Sequence, residues 1–314
     1  MRRGGLLALL CLVLSHCTSL PPSGDTSREI TLEVDGRSRS YRLHLPTAKD
    51  KDKGMPLPVV LIFHGSGDSG ADMERATQFS ELADTQHFLA VYPNGWRHRW
   101  KDGRDPSSKD PDDLAFVDAL LRDLSRQYPV DQRRIYATGF SAGGIFVHFL
   151  ALHRANQLAA IASISGGIAE PVAQDFHPAS PVSVFMIHGT RDPLVPYQGG
   201  PVDYGLTGRV VSIAEAIRLW RREDDCSLPP LTGALPDKDP QAHCRVEWQR
   251  WLSQRKHDEV LLYTIQGGGH AIPSGPQFLP AFLVGPVCRD FDAAPVIWDF
   301  LNQHAKDKSR SGRN

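Results

Sequence analysis

Residues 133–154 read "RRIYATGFSAGGIFVHFLALHR". Up to Gly139 the run is short, apolar and rich in β-favouring side chains, which predicts a strand. From Ala142 onward apolar residues continue at helical spacing over more than three turns, which predicts a helix. Between them, Gly139, Gly143 and Gly144 crowd around one serine, Ser141. A strand that turns sharply into a helix has no room for side chains beside the turn. In that setting G-x-S-x-G is a nucleophile elbow, which lifts the serine oxygen above the sheet edge. Without the flanking strand and helix the same residues would read as an ordinary turn.

The elements around this stretch alternate. Residues 28–46 form two alternating runs about Asp35-Gly36, a hairpin signal. Continuous apolar runs at 58–65, 88–94, 158–166 and 181–189 fit strands buried on both faces, and 258–266 supplies one more. Helical spacing recurs at 71–86, 112–128, 210–223 and 294–304. This is an α/β pattern: a mostly parallel central sheet with helices on both faces and an N-terminal antiparallel hairpin.

The 314 residues are 41% hydrophobic, with a formal net charge of −1. A large core is therefore expected. No basic patch marks a nucleic-acid partner, and no repeat marks an array. Residues 1–19 place Arg2 and Arg3 before a short apolar run and small residues, the layout of a secretory signal peptide. "LSHC" resembles a lipoprotein box, with His16 where a small residue is usual, so a lipid anchor at Cys17 stays open beside simple cleavage. Residues 20–27 read as a flexible leader, 28–304 as one catalytic domain, and 305–314 as a disordered tail. A monomer is expected, secreted or periplasmic. Of five cysteines, Cys226, Cys244 and Cys288 lie in the body. Export favours a disulfide. Cys226–Cys244 is the expected pair, because it would clasp a proline-rich segment poor in core residues. No cysteine spacing fits a zinc site, and no metal or cofactor is implied.

A serine hydroxyl needs a base, and the base needs an orienting acid. After an elbow of this kind the acid and histidine follow in that order. Asp192, in "HGTRDPLVPY", and His270, in "IQGGGHAIP", both sit where loops leave strand ends. For Asp192 the competing reading is an Asp-Pro turn; for His270 it is a surface histidine. His64 and His188, each directly before a glycine, read as structural. An oxyanion hole should come from the N–H of Ala142 and of Ser66 in "FHGSGDSG", with Gly67 as second choice. Trp96 and Trp100, in "NGWRHRWKDGR", are candidates for an aromatic substrate wall, against the plainer reading of partly buried loop residues.

The stretches "LIFHGSG", "VYPNGWRHRWKDGR", "DDLAFVDALL", "GFSAGG", "HGTRDPLVPY" and "IQGGGHAIP" together resemble the polyhydroxybutyrate depolymerase/feruloyl esterase group of α/β-hydrolases, which includes small secreted LpqC-like esterases. The resemblance runs from about residue 58 to 304. It implies the α/β-hydrolase fold and a serine carboxylesterase with Ser141 as nucleophile, His270 as base and Asp192 as its orienter. The expected substrate is a small or oligomeric ester of short-chain or aromatic acids. That group usually has a threonine–tryptophan pair after the histidine; here Ala271 and Ile272 stand there. A serine peptidase of the same fold, or a binding protein on this scaffold, are the alternatives.

Overall fold

The computed structural model describes residues 27–47, 54–202, 207–254 and 258–306. The signal peptide, Cys17 and residues 307–314 lie outside them. In chain order the strands are β1 (Ser27–Val34), β2 (Arg37–His44), β3 (Leu57–Phe63), β4 (Leu89–Pro93), β5 (Val130–Phe140), β6 (Ala160–Ile164), β7 (Ser183–Gly189), β8 (Gly200–Val202), β9 (Gly208–Val210), β10 (Leu231–Ala234), β11 (Arg245–Leu252) and β12 (Glu259–Gln266). The helices are α1 (Gly70–Thr77), α2 (Phe79–Gln86), α3 (Asp113–Gln127), α4 (Ala142–Arg154), α5 (Glu170–Ala173), α6 (Ile213–Glu223), α7 (Ala281–Val284) and α8 (Ala293–Leu301).

Ten strands form one sheet in the order β1-β2-β4-β3-β5-β6-β7-β12-β11-β10. From β4 to β12 neighbouring strands run parallel. The hairpin β1–β2 adds antiparallel at one edge, turning through Asp35 and Gly36, both at positive φ as a two-residue hairpin turn requires. At the other edge β11 and β10 add antiparallel to β12, a hairpin beyond those the apolar runs announce.

The pleat separates two cores. Val59, Leu61 and Phe63 of β3 face α3, α4 and α6, where Leu120, Phe146 and Trp220 are buried. Val60 and Ile62 face α1, α2 and α8, where Met73, Phe79 and Trp298 are buried. Helix α3 shows how sequence makes such a face. Asp112 caps its first turn by accepting from Leu114 N (2.9 Å), and the buried Phe116, Val117, Leu120, Leu121 and Leu124 recur at three- to four-residue spacing.

This division corrects the disulfide. Cys244 bonds Cys288, with Cα atoms 5.9 Å apart, and Cys226 is free and buried. Cys226, just past α6, belongs to one core, whereas Cys244 and Cys288 belong to the other. The sheet therefore stands between Cys226 and Cys244. No helix among the described residues is long and apolar enough to cross a membrane.

Candidate active site

Ser141 joins β5 to α4 with φ 57° and ψ −120°, a conformation that costs a non-glycine residue roughly 1–3 kcal/mol. The surrounding contacts hold it there. Ser141 N donates to Ile164 O at the end of β6 (2.9 Å), and Ile145 N closes the first helical turn on Ser141 O (2.9 Å). The helix can approach this closely only because Gly143 has no side chain: a Cβ there would lie 2.3 Å from Phe63 O.

Two further loops meet Ser141 at the same end of the sheet. The loop after β12 carries His270. Its backbone runs tight against the chain near α7, where His270 N donates to Val284 O (2.6 Å) and a Cβ on Gly269 would lie 2.2 Å from that same oxygen. The Ser141 hydroxyl donates to His270 Nε2 (2.9 Å), and His270 Nδ1 donates to Asp192 Oδ2 (2.7 Å). The loop after β7 carries Asp192, whose Oδ1 accepts from Leu194 N (2.9 Å) and Val195 N (2.8 Å). Burial works to raise the Asp192 carboxyl, but His270, His188 and the Val195 amide outweigh it and hold it below the usual carboxylate range. His270 itself is buried.

The two histidines read as structural brace the loops. His188 is buried, so its pKa is pushed down; Nε2 donates to Val195 O (2.8 Å) and lies 3.4 Å from Asp192 Oδ2. His64 is pushed down to about 4 by burial. Its Nδ1 donates to Gly65 O (2.7 Å), and its Nε2 accepts from Gly95 N (3.0 Å). His64 thus ties the loop after β3 to the loop after β4. That first loop lies beside Ser141, since a Cβ on Gly65 would sit 3.5 Å from Ser141 Cβ. Gly67 N is engaged by His98 O (2.8 Å), which removes the second-choice oxyanion donor. The N–H groups of Ser66 and Ala142 have no backbone partner among the described residues; Ser66 follows Gly65, which adjoins Ser141 in space, and Ala142 follows Ser141 in sequence.

Trp100 does not form a substrate wall. Trp100 is 0% exposed, packed among Phe63, His64 and Phe146, with Nε1 donating to His64 O (2.9 Å). A ring with a donor to satisfy found its partner in the core. Trp96 is half-buried, and the Arg37 guanidinium of β2 covers its ring at 5.2 Å. The aromatic groups beside His270 are instead Phe140, 4.9 Å away between ring centroids, and Phe278, 6.5 Å away. Phe278 was missed because "SGPQFLPAFLVGP" shows neither strand nor long-helix periodicity. Its signal was an apolar run in a loop just after the histidine.

Residues 39–204 match the family described as esterase PHB depolymerase. NocK of Nocardia uniformis subsp. tsuyamanensis, named as an esterase, is 32% identical over 289 residues, covering 88% of this chain and 82% of its own. Feruloyl esterase D of Neurospora crassa is 27% identical over 286 residues, 84% of this chain and 87% of its own. Among solved structures, the acetyl xylan esterase from Aspergillus awamori superposes with a TM-score of 0.55 at 13% identity, covering 79% of this chain and 95% of that one. With a sheet and helix order of the α/β-hydrolase kind, the chain belongs to the esterase PHB depolymerase family and is a carboxylic-ester hydrolase.

Proposed function

We propose that the chain is an exported serine esterase of short-chain or aromatic acyl esters, working through Ser141, His270 and Asp192. The observation that carries this is the relay from Ser141 Oγ to His270 Nε2 (2.9 Å) and from Nδ1 to Asp192 (2.7 Å). His270 takes the hydroxyl proton as Ser141 attacks the ester carbonyl. Asp192, ionised, stabilises the imidazolium. The N–H groups of Ser66 and Ala142 receive the oxyanion, each donor contributing about 2.7–4 kcal/mol. His270 then protonates the departing alcohol, and water repeats the sequence on the acyl-enzyme. This chemistry needs neither metal nor cofactor.

The relatives named as feruloyl and acetylxylan esterases support small or aromatic acyl groups. The signal-like N-terminus and the Cys244–Cys288 bond support an oxidising destination. A fluorophosphonate should label the wild type at Ser141. Ser141→Ala and His270→Ala should each lose about 10⁴–10⁶-fold in kcat on an aryl ester. Near-normal turnover by either variant would sink the assignment. On p-nitrophenyl acetate, butyrate and palmitate beside methyl ferulate, a preference for palmitate would overturn the substrate class.

A further inference from the structure

The segment after His270 is unusual for a soluble surface. Phe278, Leu279, Phe282 and Leu283 are exposed, Phe278 by 49% and Phe282 by 85%. Contiguous exposed apolar groups of this kind mark binding surfaces. The lobe is fixed rather than loosely attached. His270 N donates to Val284 O (2.6 Å), Gly269 N to Pro286 O (3.1 Å), and Gln277 Nε2 to Leu279 O (2.6 Å). Phe278 stands edge-on to Phe140 at 5.9 Å, and the two rings flank the imidazole.

We infer that this lobe is the alcohol-side subsite, with Phe278 as the residue that selects the leaving group. The inference rests on the Ser141–His270 reading above. The tetrahedral carbon bears three substituents besides Ser141 Oγ. The oxyanion points to the N–H groups of Ser66 and Ala142. The alkoxy oxygen must come within hydrogen-bond reach of His270 Nε2, roughly 2.6–3.2 Å, because that atom delivers its proton. The acyl chain takes the remaining direction. The first carbons of the alcohol therefore lie against the imidazole, on whose flank Phe278 stands. Of the residues next after the histidine, Ala271 and Ile272 are buried, and Ile272 packs into the core. An alcohol carrying an aromatic ring meets Phe278 edge-to-face and buries its exposed half; a methyl or ethyl alcohol leaves the ring in water.

The test compares three esters on the full-length protein: ethyl acetate, benzyl acetate and ethyl phenylacetate. The first two differ only in the alcohol, and the two alcohols are of similar acidity. The third moves the ring to the acyl side. Phe278→Ala should lower the benzyl acetate to ethyl acetate ratio of kcat/KM by about five- to tenfold, mainly through KM. The ethyl phenylacetate to ethyl acetate ratio should hold within about twofold. Phe278→Trp should keep the wild-type preference and Phe278→Leu part of it, which answers the same question if the alanine variant melts early. An unchanged benzyl ratio, or a loss falling on the phenylacetate instead, overturns the subsite. A wild type that neither turns over ethyl acetate nor takes the fluorophosphonate sinks the triad reading and this one with it. A labelled, active enzyme whose ratios ignore Phe278 sinks this one alone.

Discussion

Asp192 must stay ionised where water is nearly excluded. Its two oxygens have separate partners, since Oδ1 takes two backbone amides and Oδ2 takes His270. Because its folded pKa lies below the unfolded value of about 3.9, it contributes stability above that pH and loses it as pH falls through the folded value. Asp192→Asn should therefore flatten the acid limb of the stability curve, with about 1.5–3 kcal/mol lost near neutrality. Urea melts from pH 2 to 7 would show it; an acid limb as steep as in wild type would contradict it. Trp100 carries a different expectation. Truncation to Ala opens a core cavity, so unfolding free energy should fall by about 3–5 kcal/mol. A folded Trp100→Ala protein whose only defect was KM would refute its placement in the core. Ser141, Asp192 and His270 were legible because each loop departs from a strand end in the required order. Trp100 was not, because a tryptophan in a loop has the same neighbours in sequence whether it points in or out.

Elements explain the disulfide better than spacing does. Cys288 follows the lobe that backs His270, and Ser274 N donates to Cys288 O (2.9 Å). Cys244 directly precedes β11, whose first residues already pair with β12 (Arg245 with Gln266, Val246 with Ile265), so the bond ties the Cys288 segment to a strand the sheet holds. The bond closes 44 residues and should contribute about 4 kcal/mol in the chain-entropy model. Cys288→Ala should thus melt markedly lower. It should also lower kcat more than KM, since the loop holding His270 loses an anchor without the binding groups being changed. Unaltered kcat in a folded Cys288→Ala protein would show the loop needs no such anchor. The parallel strands were readable as apolar runs, because both faces of the sheet are covered. The hairpin β10–β11 was not: "RVEWQRWL" does alternate, but mixes charges with tryptophans and follows a proline-rich stretch that reads as loop.

At the scale of the molecule, a buried carboxylate weighs on the pH dependence of the whole fold. Beside the free Cys226 lies Asp224, 1% exposed. Its Oδ1 accepts from Val182 N (3.1 Å), and its Oδ2 has no partner among the described residues. Burial raises its pKa well above the usual range. The stability it allows is full below the unfolded pKa of about 3.9 and declines as pH rises toward the folded value. Asp224→Asn should remove that decline and gain on the order of 1–3 kcal/mol near pH 7. Chemical denaturation at pH 4.5 and 7.5 checks this; a variant less stable at the higher pH would contradict it.

Both ends of the described domain leave from the side away from Ser141, Asp192 and His270. Ser27 pairs with His44, which pairs with Ala90 near the start of β4. Lys306 N donates to Arg133 O, early in β5, and its ammonium reaches Pro181 O just before β7 (2.9 Å). Ser141 follows the far end of β5, about 26 Å along the strand from Arg133. A tether through either terminus would thus attach on the side opposite Ser141 and leave the approach to it open. A lipid on Cys17 would make the enzyme a hydrolase facing the medium, one that meets passing esters rather than the lipids beneath it. Beads coupled through a tag at either end should keep the turnover of free enzyme. Beads coupled through Leu279→Cys, at the lobe, should lose most of it.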